Sequence, residues 1–131
     1  MTEALLTLSR RLVAAPGWRR LPGMRFIRPD GSYPLRMVGE GCYAHEGETG
    51  HSIPAATDLL PSDLPDLSDD LTALGLLKLV RERWGDPGMY VRPRGSKARP
   101  DWAVCAGVGG TPQASGESEV EALVVALEVA P

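Results

Sequence analysis

Apolar residues recur at Leu5, Leu8, Leu12 and Val13. This three- and four-residue spacing predicts an amphipathic helix over 3–14, closed by Pro16-Gly17. Two short apolar-leaning runs follow, Met24 to Ile27 and Tyr33 to Val38. Between them lies Pro29-Asp30-Gly31-Ser32, where proline presets φ, aspartate caps locally and glycine accepts positive φ. The pattern predicts a β-hairpin. Residues 39–52 are polar and glycine-rich, and Cys42 to His45 is expected at most as a third, edge strand.

Residues 53–67 contain three prolines and three aspartates. They read as a linker or a wrapping loop whose leucines, at 59, 60, 64 and 67, lie against the core. A second helix is then expected, with Ser68 as its N-cap and Asp69 and Asp70 in its first turn. Leu71, Leu74, Leu77, Val80 and Trp84 form its expected buried stripe, widened by Leu76 and Leu79. Gly85 and Asp86-Pro87-Gly88 stop it, and Gly75 within it suggests a close contact.

Met89 to Arg92 and Trp102 to Ala106 read as strands joined by a basic, turn-rich loop, Pro93 to Pro100. A third strand is expected near Thr111 to Ala114. A capping box, Ser118 with Glu121, opens a last helix. Val120, Leu123, Val124 and Leu127 supply its buried face. The helix is apolar around most of its circumference, which leaves room for a homodimer through it.

These elements predict an α+β protein: a helix and hairpin, then an α-β-β-(β)-α layer with helices packed on a small antiparallel sheet. The expected organisation is a helix plus small β portion over 1–52, a Pro-rich linker over 53–67, and the α-β-β-α portion over 68–131, with the first and last joined in one unit.

Composition narrows the class. At 131 residues, 43% hydrophobic and 24% charged, the chain suits a globular protein. Its longest apolar stretch, Leu71 to Val80, is far short of a membrane span, and no secretory signal is evident. A cytoplasmic location is expected. Arginine supplies 12 of the 14 bases and asparagine is absent, the bias of a GC-rich genome. Charge falls in blocks. Seven arginines lie in residues 1–36, eight acids and no base in 37–77, seven bases in 78–101, and four glutamates and no base in 102–131. The simplest expectation is that opposite blocks pack beside each other.

Little here suggests catalysis. Cys42, His45, His51 and Cys105 are all the cysteine and histidine. They could supply four ligands to zinc, but the spacing matches no common zinc motif, and no cofactor is expected. Glu40, Glu46 and Glu48 read as a solvated loop. Ser52 beside His51 is no triad, and no phosphate-binding glycine motif is present. The element order is also that of double-stranded-RNA-binding domains. However, Glu117, Glu119 and Glu121 stand where those domains place lysines, which argues against nucleic acid. The remaining binding candidate is the loop carrying Arg92, Arg94, Lys97 and Arg99, suited to an acidic protein surface or a small anion such as a nucleotide.

Three stretches carry a resemblance. They are Ser68-Asp69 with Thr72, running into Leu76-Leu77, Leu79-Val80-Arg81-Glu82 and Trp84-Gly85; Gly116 to Glu119 with Glu121 to Val124 and Ala126 to Glu128; and Leu21 to Met24 with Arg28 to Gly31. Together they resemble small uncharacterised proteins of bacteriophages and prophages from GC-rich bacteria. Lys78 and Arg83 depart from that pattern, which has small residues there. The resemblance implies a shared fold and an accessory role, with no activity attached. The expectation that follows is a non-catalytic protein that binds a host or phage protein, such as a host defence component it inhibits. The alternatives are an anionic-ligand binder and a virion structural component.

Overall fold

The computed structural model describes residues 2–28, 33–46, 52–54 and 59–131. The chain is α+β, with three helices and two antiparallel sheets among the described residues. It divides into two compact units, one from Met1–Arg10 with Arg20–Gly75, the other from Arg11–Arg19 with Leu76–Pro131. Helices α1 (Glu3–Ala14) and α2 (Asp70–Trp84) each contribute to both.

The first unit holds strands β1 (Arg25–Ile27), β2 (Leu35–Gly39), β3 (Cys42–Glu46), β4 (Ser52–Pro54) and β5 (Leu64–Pro65), in spatial order β4-β3-β2-β1-β5. The expected hairpin is β1 and β2, paired Arg25 to Arg36 and Phe26 to Leu35. Its turn, Pro29 to Ser32, lies outside the described residues. Strand β3 is not the expected edge, because β4 pairs along its far side. The buried Tyr43 and Ala44 anchor this otherwise polar segment as an inner strand. Tyr43 is buried, its ring edge-on to Phe26 at 6.3 Å and its hydroxyl accepting from Arg20.

The Pro-rich segment also does more than link. Leu64 and Pro65 form β5 against β1, and Leu59, Leu64 and Leu67 are buried while Leu60 is exposed. Two of its aspartates, and Asp69 just beyond it, face the arginines of the preceding basic block. Asp63 meets Arg28, Asp66 meets Arg25, and Asp69 meets Arg36. The opposite charge blocks therefore pack together. Asp66 also accepts from the Ser68 backbone and hydroxyl, and Ser9 donates to the Pro65 carbonyl at 2.7 Å.

That arrangement moves the N-cap of α2 from Ser68 to Asp69. Asp69 Oδ2 accepts from the Thr72 backbone N–H at 3.0 Å and from its hydroxyl at 2.9 Å, satisfying a donor the helix start leaves free. Ser68 is committed to Asp66 instead. Thr72, buried, accepts in turn from the Arg25 N–H at 2.9 Å. The helix consequently turns Thr72, Leu76, Leu79 and Val80 inward. Leu71 and Leu74, expected in the core, are 51% and 63% exposed. Gly75 meets Met24 so closely that a Cβ would lie 2.8 Å from the methionine methyl. At the other end, Gly85 takes φ of 65°. Its N–H bonds Glu82 O while Asp86 N–H bonds Arg81 O, a Schellman stop.

The second unit's sheet runs β6 (Tyr90–Pro93), β7 (Trp102–Cys105), β8 (Pro112–Gly116), in that spatial order. Helix α3 (Glu119–Val129) packs across all three strands. Ser118 caps it, accepting from Glu121 N–H at 3.1 Å. Ala122, Leu123, Val124, Ala126 and Leu127 are fully buried. The Trp84 indole N–H donates to the Ala126 carbonyl at 2.9 Å, fixing the end of α2 to α3. Asp86 joins two turns by accepting from Gly88 and Gly107. Arg11 pairs with Glu128, and Arg19 with Glu82.

Candidate binding surface at a basic hairpin

Register places the basic loop. Strands β6 and β7 pair Arg92 with Ala103 and Pro93 with Trp102, so residues 94–101 form the hairpin's end. The backbone closes this end on itself. Arg94 and Gly95 N–H groups donate to the Asp101 carbonyl at 2.8 and 3.2 Å, and Ser96 N–H donates to Arg99 O at 3.1 Å. The Ser96 hydroxyl accepts from Arg99 N–H. No side chain larger than hydrogen fits at Gly95, where the returning strand passes directly over its Cα. The loop is thus a closed turn, and its bases are presented from an ordered frame.

The four predicted bases do not act alike. Arg94 donates through Nε and Nη2 to Asp101 Oδ2, at 2.8 and 2.7 Å. Its charge is matched, and it braces the loop. Asp101 was not evident as a partner from sequence, and only the strand register reveals it. Arg92, Lys97 and Arg99 are exposed and form no ion pair with a described residue. They present three cations to solvent. Beside them is an open cleft of about 250 Å³, lined by Pro93, Gly95, Ser96, Lys97, Pro100, Asp101 and Trp102.

The cysteine–histidine set is divided. Cys42 and His45 are three apart on β3, so their side chains leave opposite faces of the strand. Cys42 is exposed, whereas Cys105 is buried in β7 and belongs to the other unit. His51 lies outside the described residues, as does Glu48. Among the described residues no group of three or more histidine, cysteine or acidic side chains is arranged to hold a metal ion. No described helix is long and apolar enough to cross a membrane.

The linked polar side chains of Thr72, Asp69 and Arg36 could be mistaken for chemistry. Thr72 and Asp69 are occupied in capping, and Arg36 completes the set by donating to both Asp69 oxygens at 2.9 and 3.1 Å and to Gly23 O at 2.7 Å. Burial would push the Asp69 carboxyl up. The hydrogen bonds from Arg36 and Thr72 outweigh that, and it is held below the usual carboxylate range. This is the signature of an N-cap ion pair rather than of a proton donor.

No protein-family model, curated protein or solved structure matches the chain.

Proposed function

We propose that the chain is a non-catalytic, phage-type accessory protein that works by binding another protein, with a host defence component as the target it inhibits. The observation that carries this reading is the closed 94–101 turn with Arg92, Lys97 and Arg99 unmatched around it. Ordering a loop on binding costs free energy, and a turn already fixed by its own backbone avoids much of that cost. Three unmatched cations attract carboxylates and speed encounter with an acidic surface. The resemblance to phage and prophage proteins supports the accessory role.

The test is affinity capture from a GC-rich bacterial lysate with the full chain and with a charge-reversed variant, Arg92→Glu, Lys97→Glu and Arg99→Glu. The expected result is one stoichiometric acidic partner for the parent chain, with about a hundredfold weaker association for the variant. Identical capture by both chains, or capture of nothing by either, would overturn the reading.

The cleft beside Trp102 favours a second reading, a nucleotide-like anion stacked on the indole with phosphate toward Lys97. A millimolar nucleoside triphosphate should then raise the melting temperature of the parent chain by a few degrees and that of Lys97→Gln by less. Equal melting temperatures with and without nucleotide exclude it.

A further inference from the structure

A second basic surface lies in the same unit, along the last turns of α2. At 3.6 residues per turn, Glu82 projects between two sets of side chains. Leu79 and Arg83 lie to one side, Lys78, Arg81 and Gly85 to the other. Each set borders a cleft. One, about 360 Å³, is lined by Gly17, Trp18, Arg19, Leu79, Glu82 and Arg83. The other, about 470 Å³, is lined by Lys78, Arg81, Glu82, Gly85 and Pro87.

The charges on this surface are not balanced. Glu82 is already matched, because Arg19 Nη2 lies 2.8 Å from both of its carboxylate oxygens. Lys78, Arg81 and Arg83 form no ion pair with a described residue. Arg81 is steadied through Nε, which donates to the Met89 carbonyl at 2.8 Å, and this leaves its two terminal nitrogens for an outside acceptor. The Arg83 stem lies over Gly17, where a Cβ would come within 3.1 Å of Arg83 Cδ. Arg83 lines the cleft that also holds Trp18. Arginines in the last turn also suit the helix dipole, but that role asks for neither an adjoining half-buried indole nor a cleft on each side.

We propose that the two clefts flanking Glu82 are one docking surface for an acidic segment of a partner protein, carrying carboxylates to Lys78, Arg81 and Arg83 and a large apolar side chain to Trp18. The choice of occupant follows from charge complementarity. Three unmatched cations surround a matched Glu82, and guanidinium forks bind carboxylates in pairs. Trp18, half-buried at the edge of its cleft, supplies the apolar wall that an anchor needs. The inference rests on the reading that this chain acts by binding, and it names a surface and partner chemistry distinct from the 94–101 turn.

The test is fluorescence anisotropy on the full chain, with short fluorescein-labelled peptides rich in glutamate that carry one leucine, phenylalanine or tryptophan. Matched peptides have glutamine in place of glutamate. The expected result is micromolar binding of an acidic peptide, at least about tenfold tighter than its glutamine counterpart. The pair Lys78→Gln with Arg83→Gln should weaken it about tenfold or more, and these exposed changes should leave the melting temperature unchanged. Trp18→Phe should remove the peptide-induced change in tryptophan emission. The charge-reversed 92/97/99 variant should bind the peptide like the parent. Equal affinity for acidic and neutral peptides, no binding by any of the set, or binding lost only in the 92/97/99 variant would overturn the proposal. The last outcome leaves the hairpin reading standing, and lysate capture that survives the hairpin variant removes the hairpin while leaving this surface untouched.

Discussion

Gly116→Val is expected to abolish cooperative folding of the second unit, and Gly116→Ala to cost about 3 kcal/mol. Gly116 ends β8 opposite Trp102, and the first turn of α3 lies directly on it. A Cβ there would sit 2.6 Å from the Ala122 backbone nitrogen and 2.9 Å from the Glu121 carbonyl carbon. Neither atom can rotate aside as a side chain would. Relief would require lifting α3, which carries five fully buried side chains. Lifting it exposes apolar surface at about 25 cal/mol per Å², against a total stability for a domain of this size of about 5–15 kcal/mol. Urea unfolding followed by circular dichroism checks this. Val108→Ala, at a 92% exposed turn position, serves as the control and should shift stability by less than about 0.5 kcal/mol. A Gly116→Ala midpoint equal to that of the parent would show that α3 is not seated on this glycine.

Asp69→Ala is expected to cost about 2–3 kcal/mol at neutral pH, combining loss of an N-cap with loss of the half-buried ion pair to Arg36. Arg36 keeps its bond to Gly23 O, which limits the loss. The pH dependence follows from the direction of the Asp69 shift. Its carboxyl is lowered in the folded chain, whereas an unfolded aspartate titrates near 3.9. The unfolded chain therefore binds the proton first as pH falls. The contribution of this group is fully present above the unfolded value and is lost as pH drops through the folded one. Asp69→Asn should therefore lose less stability than the parent between pH 6 and pH 3. Parallel losses would show that the ion pair does not contribute.

The sequence makes the helices legible because their ends are chemically marked. Pro16-Gly17, Gly85 and the Ser118–Glu121 box all terminate or cap helices in the structure. The paired strands of the first hairpin and of the second sheet were legible too, within a residue or two. The inward face of α2 was not. Leucines and a valine surround that helix so fully that apolar counting favours a stripe through Leu71 and Leu74. The outcome was decided by Thr72 and Gly75, a small polar side chain receiving Arg25 and a gap receiving Met24. Strands β4 and β5 are only three and two residues long, too short to show any periodicity. Of the basic loop, the sequence shows the bases but not which of them is matched. Pairing Arg94 with Asp101 depends on register. The cleft beside Trp18 depends on two segments more than sixty residues apart, and no local pattern announces it.

The division of the chain into two units sets an order of completion. The first unit includes no residue after 75, whereas the second joins residues 11–19 to residues 76–131. A ribosome extends a chain at about 5–20 residues per second. The first unit can therefore close seconds before the second has its sheet and last helix. Through that interval the early segment 11–19 waits without the rest of its unit. Synthesis of α3 supplies the last element of that unit and ends the interval.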